Sequence, residues 1–402
     1  MRRRAVVVGG SIGGLFAGLF LRRTGWDVSI HERAGEELGA RGAGIVTHDE
    51  LHEALALATG RSEPIGVSVS GRVVLGRDGS VVCETPRPQV LASWDKIWRR
   101  LRACSDGIYH HGSTLTAVKL STHGVVARFA NGASLDADIL VAADGIQSTV
   151  RRQLFPGIDP KYAGYVAWRG LVDEAELSQR TRDVLFDRFG FCLPPREQML
   201  GYPVDGVDTE GKPARRYNYV WYRPADPQHQ LPRLLKGSDG QQHVGAIPPD
   251  RLHPDVVAEM RLAAERLLAP AFAEVVLQTR KPLLQPIVDL EAPSMTTGRV
   301  ALMGDAAFVA RPHVGAGVTK AAGDASVLTE LLSSQHDIDH ALVAYNEQRH
   351  AYGSRIIRRA RHLGAYMQSQ LLSDEERQQA ERHRSPRAVM TETATMQQME
   401  TW

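Results

Sequence analysis

Cysteine is scarce in this chain. Cys83, Cys104 and Cys192 are the only three in 402 residues and stand far apart, which excludes a disulfide framework and offers no paired metal-ligand spacing. His48 and His52 are four apart, but the H-E-x-x-H order is missing and no third ligand accompanies them, so no metal site is expected. An excess of charge of one sign is also lacking. Forty-eight Lys and Arg against 46 Asp and Glu leave a net charge of +2, which gives no electrostatic footprint for nucleic acid or a membrane surface. The basic run Arg355–Arg361 carries no interleaved aromatic residues for base stacking and is expected on a helix with its charges in solvent.

Long apolar runs are missing as well, with one partial exception. Arg2–Arg4 followed by the charge-free run Ala5–Leu21 resembles the start of a signal peptide. Five glycines in that run, Arg22–Arg23 directly after it and no A-x-A site argue against that reading. No other stretch is long and apolar enough to span a bilayer. A cytoplasmic location is expected, with small-molecule partners and neither nucleic acid nor membrane among them.

The run Ala5–Leu21 has a different purpose. Ala5–Val8 is a β-branched apolar run suited to a strand buried on both faces. A glycine turn follows, then an apolar helix through Leu15, Leu19 and Leu21 that should stop near Gly25. Val28–His31 supplies a second strand, ended by Glu32. This is the layout of a dinucleotide-binding βαβ unit. Backbone N–H groups at the turn and helix N-terminus meet a pyrophosphate, and an acid at the end of the second strand accepts hydrogen bonds from ribose hydroxyls. The fingerprint reads Gly9-x-Ser11-x-x-Gly14, with Ser11 in place of the second glycine. Serine is small, and its hydroxyl can itself donate to a phosphate oxygen.

Two later segments repeat the pattern of a buried strand ending in a glycine–acid turn. Ile139–Ala143 is followed by Asp144-Gly145, with Ser148 and Arg151 opening a helix. Val300–Met303 is followed by Gly304-Asp305, and a helix starts after Gly315-x-Gly317 with Val318, Ala321, Ala325 and Leu328 at core spacing. Three such turns along one sheet edge mark where open α/β sheets bind ligands.

With these segments in order, the chain resembles the single-component flavoprotein aromatic hydroxylases of the para-hydroxybenzoate hydroxylase superfamily. The resemblance rests on the Gly9–Gly14 turn, Glu32-Arg33, Gly42-Ala43-Gly44-Ile45, Asp144-Gly145 with Arg151, and Gly304-Asp305 with Pro312 and Gly315-x-Gly317. Ser11, Tyr162-Ala163-Gly164-Tyr165, Trp168-Arg169-Gly170, Arg311-Pro312-His313 and Lys320 are most similar to the dihydroxypyridine-hydroxylating members.

The resemblance implies noncovalent FAD, with NADH or NADPH as co-substrate, and hydroxylation of an electron-rich aromatic ring by O2 through a flavin C4a-hydroperoxide. It implies that Gly9, Ser11, Ile12 and Gly14 meet the pyrophosphate, that Glu32 holds the adenosine ribose and that Arg33 lies against adenine. Arg41, Gly44 and Ile45 would border the flavin ring, with Asp144 and Gly145 in the motif shared by FAD and nicotinamide nucleotide. Asp305 would bond the ribityl chain, Pro312 would sit over the ring beside the substrate, and Gly315, Gly317 and Val318 would present a helix N-terminus to it. The sequence departs from the family at Phe308, Thr319 and Trp94, where histidine, asparagine and arginine are usual.

The implied architecture is α/β: a Rossmann-like FAD-binding domain interleaved with a β-sheet substrate domain and a C-terminal helix. Residues 1–161 form the first part of the FAD-binding domain, with a small inserted β region near 65–92. Residues 162–284 form the substrate domain, 285–335 the second FAD-binding part, 336–372 a helical region and 373–402 a flexible tail. Met199–Val204 and Tyr217–Arg223 read as aromatic-rich strands joined by a polar connection. Tyr202, Asn218 and Tyr222 are candidate pocket residues, with ordinary sheet packing as the open alternative.

His313, beside Pro312, is the first candidate to take or relay a substrate proton, and His48, after the flavin loop, the second. The expected partners are an aromatic small molecule, O2 and NAD(P)H; a homodimer is compatible with the sequence but not readable from it. A nicotinamide dehydrogenase would leave the second and third turns unexplained, and a non-catalytic flavin-binding scaffold would show no substrate-stimulated NAD(P)H oxidation.

Overall fold

The computed structural model describes residues 2–39, 44–207 and 211–395. Arg41, Gly42 and Ala43, singled out in the flavin loop, lie outside the described residues.

A six-stranded sheet carries the nucleotide half, in the order Thr296–Thr297, Val300–Leu302, Ile139–Ala142, Arg4–Val8, Asp27–His31, Tyr109–His110. The strands from Val300–Leu302 through Tyr109–His110 run parallel, with Val8 level with Ala142 and His31, and Ala142 level with Leu302. The three glycine–acid turns therefore leave the sheet side by side, as the sequence pattern implies. Ala5–Val8 is buried throughout because both faces are covered.

Helix Ile12–Arg23 follows from apolar residues at helical spacing. Leu15, Phe16, Leu19 and Leu21 are 0–1% exposed, pressed between the sheet and helix Gly317–Ser334. Each contributes about 1.5–3 kcal/mol, so Leu15→Ala would cost about 2–5 kcal/mol through the cavity it leaves. The helix ends at Thr24, and Gly25, at φ +91°, turns the chain into the next strand.

A nine-stranded sheet forms the second half: Phe308–Val309, Leu283–Glu291, Lys161–Asp173, Pro213–Pro224, Gln198–Val207, Arg188–Cys192, Val67–Leu75, Val81–Ser93, Gly44–Val46. Period-2 alternation divides its faces. Val166, Trp168, Val172, Tyr217, Tyr219 and Trp221 meet an outer layer containing helices Pro254–Leu267 and Pro270–Gln278. Tyr165, Ala167, Tyr202, Val220 and Tyr222 point to the inner face.

Several expected boundaries shift. The β region near 65–92 is no insert of the nucleotide half: Val67–Leu75 pairs in parallel with Arg188–Cys192 and extends the substrate sheet. The 284/285 boundary falls inside strand Leu283–Glu291, which pairs with Lys161–Asp173 on both sides of it. Strands Gln198–Val207 and Pro213–Pro224 also run into the segment expected as a polar connection.

The flexible tail is corrected as far as residue 395. Ser373 and Glu376 form a capping box that starts helix Asp374–His383. Ser385 caps helix Pro386–Glu392, and Ala380, Val389, Met390 and Ala394 are buried against the inner face of the large sheet. The basic run is corrected too. On helix Ile338–Gly364, Arg359 is buried and bonds Glu392 at 3.0 Å, and Arg361 reaches Asp289 at 3.2 Å. Among the described residues, no helix is long and apolar enough to cross a membrane.

Candidate active site

The three strand ends are laced together before any side chain acts. Gly9 N–H donates to His31 O at 2.9 Å, Ala143 N–H to Val8 O at 2.8 Å and Met303 N–H to Ala142 O at 3.0 Å. Trp98 Nε1 donates to Gly10 O at 3.0 Å and fixes the first turn. Gly14 lies behind that turn, where a Cβ would stand 1.8 Å from Gly9 O. Ser11 precedes helix Ile12–Arg23 without making a side-chain cap, so among the described residues the first helical N–H groups are left without a capping side chain.

Glu32 is buried at the end of its strand. Its carboxylate accepts from Gly10 N at 2.8 Å and Ala34 N at 2.9 Å, which ties the acid to the glycine turn and leaves further lone pairs. Arg33 is exposed beside it. Asp144 turns the other way: it accepts from Ser148 Oγ at 2.5 Å and from Thr149 N and Val150 N at 2.7 and 3.3 Å, capping the helix Thr149–Leu154. Arg151, fully buried, donates to Ile146 O at 2.6 Å and Ala306 O at 3.0 Å, bolting the second turn to the third.

A cavity of about 410 Å³ opens between these turns and the inner face of the large sheet. Ser11, Ile12, Gly145, Asp305, Gly315, Gly317 and Val318 line it from the nucleotide side, together with Pro312, Gly44 and Ile45. Tyr202, Tyr222, Arg169 and Gln285 line it from the sheet. Gly44 allows this closure, because a Cβ there would stand 2.4 Å from the Tyr202 ring.

Asp305 lines this cavity and is exposed there. Desolvation by the surrounding protein raises its carboxyl above the ordinary value, Lys320 counteracts and Asp324 adds to the rise. The turn beneath it is held by a buried network: Asp324 accepts from Gly304 N at 3.0 Å, Lys320 Nζ at 2.8 Å and Arg349 Nε at 2.7 Å. Burial alone would raise Asp324, but Lys320 and Arg349 outweigh it and hold the carboxyl below the ordinary value.

These features fit a bound FAD. Among the described residues the Asp305 carboxylate has no hydrogen-bond partner, as expected of a group that serves a ligand's hydroxyls. Two helix N-termini, at Ile12 and Gly317, lack side-chain caps and border the same cavity. At Gly317 a Cβ would meet nothing within 4 Å and would project into the open space the helix end faces. Uncapped N–H groups and positive dipole ends suit phosphate and the anionic edge of a reduced flavin.

Three candidates from the sequence do not face the cavity. His313 is 1% exposed; its Nε2 lies 2.7 Å from Tyr165 Oη and its ring packs on Tyr222 at 4.5 Å. Burial, with the charges of Arg311 and Arg169, lowers its pKa to about 3, so the imidazole is neutral near neutral pH. It supports the aromatic wall from behind, contrary to the expectation of a base at the ring. His48 Nδ1 bonds Thr319 Oγ1 at 3.0 Å, tying the segment before helix Asp49–Thr59 to helix Gly317–Ser334. Asn218 Oδ1 accepts from Gly44 N at 2.9 Å and positions the flavin-loop strand.

Sequence reading missed Arg169 as a site residue and the contributions of Phe189, Gln285, Thr393 and Ala394 to the wall. Arg169 was detectable, since it stands in the alternation of Tyr165 and Ala167 on the inner face of one strand. Its guanidinium has no hydrogen-bond or carboxylate partner among the described residues, and its Nε is buried. Arg311 differs: Asp289 at 2.9 Å and Gln368 at 2.6 Å occupy it.

A parallel sheet with three glycine–acid turns at one edge, facing an aromatic cavity under a second sheet, defines a dinucleotide-binding flavoprotein. Residues 162–289 match the family described as FAD binding domain-like, and residues 257–360 the one described as FAD binding domain. The chain is 32% identical over 366 residues to 2,6-dihydroxypyridine 3-monooxygenase of Paenarthrobacter nicotinovorans, covering 90% of this chain and 91% of that protein. The solved structure of 2,6-dihydroxypyridine-3-hydroxylase from Arthrobacter nicotinovorans superposes with a TM-score of 0.86 at 30% identity, covering 92% of this chain and 93% of the other. A Klebsiella pneumoniae protein solved with FAD and uric acid shares the fold, with a TM-score of 0.76 at 22% identity over 97% of this chain and 93% of the other. The chain belongs to the FAD-dependent aromatic monooxygenases of the para-hydroxybenzoate hydroxylase superfamily. It is an FAD enzyme, and NAD(P)H is the reductant typical of that family.

Proposed function

We propose that the protein hydroxylates a hydroxylated pyridine or phenol that binds as its anion, with Arg169 as the counter-charge. The observation that carries this reading is the unpartnered guanidinium on a sheet wall shared with Tyr202, Tyr222, Phe189, Gln285 and aliphatic groups. An unpaired charge in such surroundings is costly unless a ligand completes it. Burial raises Tyr202 and Tyr222, the latter to about 12, so both hydroxyls stay protonated and available as donors to a ring oxygen. Ionisation puts electron density into the ring carbons, which is what an electrophilic oxygen atom requires.

When bound, FAD takes electrons from NAD(P)H and supplies the activated oxygen from O2. The chain's own residues do the rest. Ser11 and the N–H groups at Ile12 would hold the pyrophosphate, Glu32 the ribose, Asp305 the ribityl hydroxyls, and Gly317 and Val318 the anionic edge of the flavin. Pro312 and Ile45 would close the cavity around the reacting atoms and exclude water.

The reading is tested by screening hydroxypyridines, hydroxybenzoates and larger phenols for stimulated NAD(P)H consumption, with the mass of the product measured in each case. A hydroxylated pyridine or monocyclic phenol gaining one oxygen atom is the expected result. Consumption that yields only peroxide with every ring refutes it.

A further inference from the structure

Arg72 is fully buried in strand Val67–Leu75 and has no carboxylate partner among the described residues. Its donors go to the C-terminal segment instead: Nη1 reaches Met390 O and Thr393 O at 2.7 Å each, and Nη2 reaches Ala394 O at 3.3 Å. Nε donates to Gln89 Oε1 at 2.7 Å, and the guanidinium lies 4.9 Å from the centre of the Phe189 ring.

A second fixture holds the same residues from the flavin side. Ala394 N–H donates to His313 O at 2.7 Å. Ala394 also has φ +54°, a left-handed conformation that a non-glycine residue keeps only when its surroundings impose it. Glu392 is tied on the outer side to Arg359 at 3.0 Å and His383 at 2.5 Å. The segment so pinned is no mere end of the core, because Thr393 and Ala394 form part of the cavity wall with Phe189, Val46 and Gly315.

We propose that residues 385–395 are a strap that closes the aromatic cavity and limits the size of the ring it admits, with Arg72 as its positioning residue and Thr393 as a specificity-determining wall residue. The size limit rests on the proposed reading of the cavity as the ring site; the latch does not. Three backbone carbonyls share one charged donor, so loss of that donor frees all three at once and loosens the segment on the side of the large sheet, while the bonds of Ala394 N and Glu392 remain. Thr393 acts through its side chain, and shortening it thins the wall with all three carbonyl contacts intact.

The test uses the full-length FAD-loaded protein and two variants, Arg72→Met and Thr393→Ala. Binding of a monocyclic hydroxypyridine and a bicyclic hydroxyquinoline is followed by perturbation of the flavin absorbance. Tryptic cleavage after Arg384 and Arg387, both exposed, reports release of the strap. Arg72→Met is expected to shift relative affinity toward the bicyclic ring by about tenfold, as loss of charge-assisted hydrogen bonds implies, and to speed cleavage by a similar factor. Thr393→Ala is expected to shift the preference in the same direction by a smaller factor, with cleavage unchanged.

Unchanged preference in both variants at full FAD occupancy would overturn the proposal. So would an Arg72→Met protein that fails to hold FAD, paired with a Thr393→Ala protein of unaltered preference. If the wild type binds neither ring, the substrate reading fails by itself; the strap then stands or falls on cleavage, and equal rates in wild type and Arg72→Met overturn it.

Discussion

Replacing Arg169 by methionine removes the counter-charge proposed for the substrate while keeping a side chain of similar reach on the sheet. No protein carboxylate is orphaned by the change, since none is paired with this guanidinium among the described residues, and FAD binding and fold should persist. A hydrogen bond to a charged group is worth about 1.5–3 kcal/mol, equivalent to roughly 10- to 150-fold in Kd. The same energy appears in the ligand's ionisation. Arg169 stabilises the anion and so lowers the pKa of the bound hydroxyl; without it that pKa should rise by about one to two units. The assay titrates oxidised holoenzyme with a hydroxypyridine whose ionisation alters its absorbance, across a pH series. The variant should bind the anion more weakly and ionise the bound ring at higher pH. An unchanged Kd with an unchanged ionisation midpoint, at full FAD content, would refute the assignment.

Asp305→Ala removes the unpartnered carboxylate at the third turn, and FAD affinity should fall about tenfold or more, as measured by flavin fluorescence on dilution; equal affinity would remove Asp305 from the cofactor site. Asp324→Ala leaves the buried Lys320 and Arg349 without their shared anion, and stability should drop by about 3–5 kcal/mol in chemical denaturation. Because the Asp324 carboxyl is held below its ordinary value, its contribution is present above the unfolded value and lost as pH falls through the folded one. The gap between wild type and variant should therefore narrow in acid. His313→Asn should lower thermal stability through loss of the bond to Tyr165, worth about 1 kcal/mol, and leave the pH dependence of kcat/KM in place; loss of an ionisation between pH 5 and 8 would restore His313 as a proton acceptor.

The nucleotide half was legible because its determinants are local. A β-branched run, a glycine turn and an acid recur at three places, and parallel register brings the turns to one edge. The substrate half was less legible because its determinants are distant. Strand Val67–Leu75 reads as an insertion between two parts of a Rossmann-like domain, and only pairing with Arg188–Cys192 assigns it to the other sheet. The tail reads as polar and loose, yet four apolar residues spaced over Ala380–Ala394 find a buried face that no local pattern announces. Its capping box at Ser373 and Glu376 was the signal available in the sequence. His313 shows the opposite failure. Proximity to Pro312 in sequence suggested the cavity, but the short helical turn Pro312–Val314 points consecutive side chains in different directions, and Pro312 takes the wall while His313 goes behind it.

That last placement alters how the substrate is expected to lose its proton. With His313 and His48 turned away, no histidine of the described residues lines the cavity. Asp305 stands at the flavin side, and the tyrosines hold their protons. A wall without a base can still favour an ionised ring, because the equilibrium depends on the relative stability of the two forms and not on which group carries the proton off. One cation without a carboxylate partner among the described residues, beside the paired Arg311 and Lys320, together with neutral hydroxyl donors, stabilises the anion selectively. The buried neutral imidazole serves the same end by holding Tyr165 and Tyr222 in place without adding a second charge that titrates. On the proposed reading Arg169 sets both which rings bind and how readily they ionise, and this is why its removal should move affinity and the bound ligand's pKa together.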